Sequence, residues 1–189
     1  MIKYLVILSA LLFFSCENVT NPEPEPYLFN INDWKTISGT WSFADGILTQ
    51  SAANQPEHAL GYQLSTDKIT WQNYSISFDF KSALMNWVGF FFAFTDEYNF
   101  NLLLLRNGIC EHGNNSGTTR NYTTIKSFNA SFSTNTWYSL RANRIGNDIQ
   151  LYINDTLVFT DTLSYSQKRD MALGGKGPMD FKNIVIRKL

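Results

Sequence analysis

Carboxylates are sparse in this chain, and their spacing decides which chemistry they can share. Retaining glycoside hydrolysis needs two carboxyl groups about 5 Å apart on one face, one as nucleophile and one as acid. The alternating stretch 75–81 carries only Asp79, while Asp96 and Glu97 are consecutive in a turn and point different ways. No G-x-S-x-G, C-x-x-C or phosphate-loop motif occurs. The two histidines each follow a glutamate, in Glu57-His58 and Glu111-His112. Adjacent strand side chains diverge, so neither pair chelates a metal alone, and both read as solvated loop residues. What remains is a set of aromatic and polar side chains suited to stacking on sugar rings and binding their hydroxyls. It comprises Trp87, Phe91, Asp79, Lys81, Asn99 and Asn101, with Arg106, Arg120 and Tyr122 at the rim. Such a set holds a glycan without cleaving it. Trp41 and Trp137 read as core.

The stretch that must position this set is WVGFFFAFTDEYNFNLLLLR, residues 87–106. Its two apolar runs lack helical spacing, are rich in aromatics and flank Asp96-Glu97, which predicts two paired strands joined by a tight polar turn. Alternation places Val88, Phe90, Phe92 and Phe94 on a core face. Trp87, Gly89, Phe91, Ala93 and Thr95 take the other face, either the floor of a groove or a second packed layer. Residues 74–82 alternate in the same way, with Ile76, Phe78 and Phe80 inward. Turn signals recur at Asp45-Gly46, Asn107-Gly108, Gly146-Asn147 and Asn154-Asp155. Residues 59–64, 109–112 and 181–188 read as strands, and 113–119 as a flexible loop. Roughly a dozen short strands with turns every 8–12 residues predict an all-β, two-sheet antiparallel β-sandwich.

The chain of 189 residues suits one such domain, over residues 29–189. Charged residues make up 16%, well below the roughly 25% usual in soluble domains. The net charge is −1 and no basic block occurs, so no nucleic-acid partner is expected. Residues 1–15 read as a signal peptide, with Lys3 ahead of a short apolar run. Leu12-Phe13-Phe14-Ser15-Cys16 resembles a bacterial lipobox, although Phe13 and Phe14 depart from its usual residues. The resemblance implies cleavage before Cys16, lipid on its sulfur, and a place in the bacterial cell envelope with the lipid as the only membrane contact. That envelope address covers the outer membrane, periplasmic or surface-exposed. Residues 16–28 then form a linker, and the alternating prolines of its stretch 17–26 favour an extended tether of about 30 Å. Cys110 is the only other cysteine, so a lipidated Cys16 leaves it no disulfide partner.

The order of elements resembles the concanavalin A-like lectin/glucanase superfamily, including laminin-G-like and glycoside-binding jelly rolls. The residues that carry it are Gly39-Thr40-Trp41 with Asp45-Gly46-Ile47-Leu48, and Trp87-Val88-Gly89-Phe90 with Asp96 and Tyr98. Trp137, residues 146–154 and the closing stretch 181–186 complete it. The resemblance implies a jelly roll that takes a polysaccharide or glycan. It also implies calcium, held in related jelly rolls by loop carbonyls and an aspartate on the last strand; Lys182 stands where that acid is usual, and Asp180 is the substitute. The superfamily's glucanases carry E-x-D-x-E on one strand, which is missing here. The rival readings are a glycoside hydrolase or lyase of the same fold, and an adhesive module that binds protein.

Overall fold

A computed structural model describes residues 24–52, 62–69, 71–96, 98–118, 122–163 and 170–189. In chain order the strands are β1 (Tyr27–Leu28), β2 (Lys35–Ser38), β3 (Trp41–Ala44), β4 (Ile47–Gln50), β5 (Tyr62–Thr66) and β6 (Tyr74–Ser82). They continue as β7 (Val88–Asp96), β8 (Asn99–Arg106), β9 (Gly108–Ser116), β10 (Thr123–Ala130) and β11 (Tyr138–Ile145). The last four are β12 (Asp148–Ile153), β13 (Thr156–Thr162), β14 (Met171–Gly175) and β15 (Met179–Lys188). One sheet runs β13-β12-β11-β6-β15-β4-β3, with β1 also on β15; the other runs β10-β9-β8-β7-β14-β5-β2. The strand pairs are antiparallel, and the two sheets form the expected jelly-roll sandwich.

Short hairpins follow from the turn residues. Asp45-Gly46 has φ of 52° and 75°, and Asn154-Asp155 has 48° and 60°. Asn, Asp and Gly tolerate this left-handed backbone, whose twist matches that of the flanking strands. Between the sheets, β6 buries Tyr74, Ile76, Phe78 and Phe80 as the alternation predicts. Phe78 packs edge-on against Phe181 of β15 at 5.7 Å and tilted against Phe90 of β7 at 6.2 Å. Each fully buried aromatic or aliphatic side chain contributes on the order of 1.5–3 kcal/mol.

The register shifts in five of the described strand pairs, and the bulges in β15 and β7 bear on the site. In β15, Asn183 at φ 53° adds a residue, so Phe181, Ile184 and Ile186 all turn inward. In β7 the register slips between Phe92 and Asp96, with Ala93 at φ 46°. This bulge moves Phe94 off the expected core face and into the cluster on the opposite side of the sheet. Its backbone N–H donates to Asp170 at 2.9 Å. The stretch expected as a flexible loop from Gly113 continues as strand β9 to Ser116, paired with β8 throughout and with β10 up to Asn114.

Candidate functional site

The residues expected to form one saccharide surface are divided between the two sheets. Asp79 and Lys81 stand on β6, whose sheet neighbours are β11 and β15, whereas Trp87 and Phe91 belong with β7 in the other sheet. Chain neighbours β6 and β7 cross from one sheet to the other instead of pairing. Asp79 accepts from Asn183 Nδ2 at 2.7 Å, and Lys81 pairs with Asp180 at 2.9 Å. Asn101 lies directly opposite Phe92, so it faces between the sheets, away from Phe91, and is fully buried. Asn99 binds Asp96 at 3.0 Å and closes the β7–β8 turn, whose Tyr98 N–H also donates to Asp96.

The outward face of the β7 sheet is a packed layer, not an open groove. Trp87, Phe91, Phe94, Phe100, Leu102, Leu104 and Ala172 form a second apolar cluster, with Phe91 fully buried and Trp87 only 7% exposed. The Trp87 and Phe91 rings lie 5.9 Å apart and Phe91 meets Phe100 at 5.4 Å. Rings packed this closely present no free face to a sugar. Tyr122 lies against the cluster, its ring over Gly113.

Beside this layer the same face carries a polar corner. Counting back from the Asn107-Gly108 turn places Glu111 opposite Leu104, and so on the outward face with Arg106. Glu111 is nearly buried, pairs with the half-exposed Arg106 at 3.0 Å and accepts from Thr124 Oγ1 at 3.3 Å. The Tyr122 hydroxyl is buried without a hydrogen-bond partner. Burial, then the Glu111 charge, push its pKa far up, so it stays a protonated donor. Glu111 and Thr124 were missed as site residues because a register count, not a local motif, reveals them. Arg106 and Tyr122 are the expected rim residues that the fold does bring together. Arg120, Cys16, Glu57, His58 and Glu97 lie outside the described residues.

His112 is no solvated loop residue. It points between the sheets, is fully buried, and its Nδ1 donates to Asp161 Oδ2 of β13 at 2.7 Å, joining one sheet to the other. The Cys110 thiol is likewise buried, which together with Glu111 pushes its pKa up to about 12, so it is unreactive. Trp137 is not core but half-buried under Lys81 and Lys182, while Trp41 packs on Phe181 at 6.2 Å. Asp180 does not fit a calcium site: one oxygen pairs with Lys81 and the other accepts from Thr49 Oγ1 at 2.9 Å. Among the described residues no group of three His, Cys, Asp or Glu side chains is placed to hold a metal ion.

A family model described as a 3-keto-alpha-glucoside-1,2-lyase-like domain matches residues 27–187. The chain belongs to that family. A search of curated protein sequences finds no match. Among solved structures, the carbohydrate binding module CBM66 from Bacillus subtilis superposes with a TM-score of 0.61 at 14% identity, covering 86% of this chain and 95% of that one. Alginate lyase AlgAT5 from polysaccharide lyase family 7 gives 0.61 at 13% identity, covering 84% and 95%. The Emp47p carbohydrate recognition domain gives 0.60 at 11%, covering 83% and 89%. At these identities the likeness defines the fold, a concanavalin A-like jelly roll.

Proposed function

We propose that this chain binds a carbohydrate without cleaving it, at the Arg106–Glu111–Tyr122 corner, while a lipid on Cys16 tethers it to the cell envelope. Membership of a family described by a keto-glucoside lyase supports a saccharide ligand, as does the fold shared with a carbohydrate binding module and a carbohydrate recognition domain. The observation that carries the binding reading is the state of Glu111. It is the one carboxylate that the described strands place at this corner, and Arg106 and Thr124 already engage its oxygens. Arg106, half-exposed, is the group a ligand meets first. Its guanidinium offers donors to ring and hydroxyl oxygens, and the Tyr122 ring beside it belongs to an apolar wall.

The family description favours a second reading, a lyase. In a 3-keto glucoside the ketone acidifies the C2 proton, so elimination needs only one base. Glu111 would take that proton as the C1–O bond breaks and the C1–C2 double bond forms, with the released alcohol protonated by solvent. Incubation with a 3-keto-α-glucoside separates the readings. Saturable binding with no loss of substrate supports a binding domain, and an unsaturated product that disappears in Glu111→Gln establishes the lyase. The anchor is tested separately: Cys16→Ala should move the protein from the membrane to the soluble fraction or leave it unprocessed, and unchanged fractionation without lipid mass on Cys16 would refute it.

A further inference from the structure

We propose that the outer face of the β6–β15 sheet carries a second saccharide site, selective for glycans that bear carboxylates and built on Trp137, Lys182 and Lys81. This goes beyond the Glu111 corner, which lies on the other sheet. Trp137 precedes β11 and is half-buried at the surface. The Lys182 ammonium lies over its indole at 4.3 Å and that of Lys81 at 4.9 Å. An indole is the strongest of the aromatic platforms for both cations and sugar C–H faces. Here two positive charges are gathered on one ring, and they are balanced unequally. Lys81 has Asp180 at 2.9 Å. Lys182 has no carboxylate within ion-pair distance among the described residues, although Asp79 stands opposite it in register and is engaged by Asn183.

Lys81 also lines a cavity of about 220 Å³ together with Thr49, Ser51, Asn135 and Asp180. Hydroxyl, amide and carboxylate groups therefore continue directly from the aromatic platform, as needed to bind the hydroxyls of a ring stacked on Trp137. Arg141, over Tyr152 at 3.7 Å, adds a further cation to the same face. With Arg187, opposite Ser75, and Asp148, opposite Ile145, the face carries four cations (Lys81, Lys182, Arg141, Arg187) against three acids (Asp79, Asp180, Asp148) among the described residues, so it retains one positive charge. A uronate draws the Lys182 ammonium off the indole onto its carboxylate, its ring takes the face so freed, and its hydroxyls take the cavity.

Calorimetric titration of the protein with tetragalacturonate, maltotetraose and short poly-glutamate at low salt tests this. Tetragalacturonate should bind, more weakly as salt rises, and maltotetraose and poly-glutamate should bind at least tenfold less tightly, about 1.4 kcal/mol. Lys182→Gln, an exterior change with no hydrogen bond to lose, should weaken tetragalacturonate binding severalfold, and Trp137→Ala should weaken it at least as much. Equal affinity for maltotetraose would remove the acidic specificity. Equal affinity for poly-glutamate would reduce the face to a charge patch. Full affinity in Lys182→Gln would place any binding elsewhere.

Discussion

His112 and Asp161 are 49 residues apart in the chain and hold the two sheets together through one hydrogen bond. With Nδ1 donating, Nε2 is left as a buried acceptor without a partner. Burial lowers the His112 pKa below its usual 6.5, against the opposing pull of Asp161. Burial also raises Asp161, but the hydrogen bonds from His112 and the Thr162 N–H outweigh it, and the net direction is down from 3.8. Both shifts have the same sign for stability. Between the folded and unfolded pKa of His112 the unfolded chain binds more protons, so stability is fully present above pH 6.5 and erodes below it. Asp161 contributes stability above its unfolded pKa that is lost as pH falls through the folded value. The melting temperature should therefore fall as pH drops from 7 to 4, and His112→Gln should flatten the part of that slope nearest neutrality. An unchanged slope in the variant would show that this pair does not titrate with folding.

Strand β7 carries two packed layers back to back. Val88, Phe90 and Phe92 fill the space between the sheets, and Phe91 anchors the outer cluster. Phe92→Ala and Phe91→Ala should each cost about 3–5 kcal/mol, as for a buried aromatic truncated in a close-packed core. Chemical denaturation checks this, and a clearly smaller loss at Phe91 would show that its layer yields. On the neighbouring strand, a β-carbon at Gly113 would lie 2.6 Å from the Tyr122 ring and also meet the Thr123 carbonyl. Gly113→Ala should therefore destabilise by about 1–3 kcal/mol and displace Tyr122 from the polar corner, visible as a changed Tyr122 environment in NMR. Alternation alone identified the paired strands and the inward faces of β6 and of β7 up to Phe92. It failed at Ala93, because a left-handed alanine has no residue-type signal and one bulge reverses every side chain beyond it.

At the scale of the molecule, turn dipeptides and strand spacing made the sandwich legible, since each acts over a few residues. Which sheet each strand joins depends on pairings far apart in sequence. The chain between β6 and β7 gave no sign that it crosses between sheets, so Asp79 and Lys81 were grouped with the wrong aromatics. The Glu111 corner was half legible: Arg106 and Tyr122 stood out as polar groups near an aromatic strand, while Glu111 needed the register of a hairpin. That corner should hold a sugar without turning it over. The direct measurement is calorimetric titration of the protein with a 3-keto-α-glucoside, followed by product analysis of the same mixture, for the wild type, Arg106→Gln and Glu111→Gln. Wild-type binding should be saturable, the ligand should stay intact after prolonged incubation, and Arg106→Gln should bind at least tenfold more weakly, about 1.4 kcal/mol. Steady formation of an eliminated sugar by the wild type, lost in Glu111→Gln, would contradict this, as would a ligand that binds neither the wild type nor either variant.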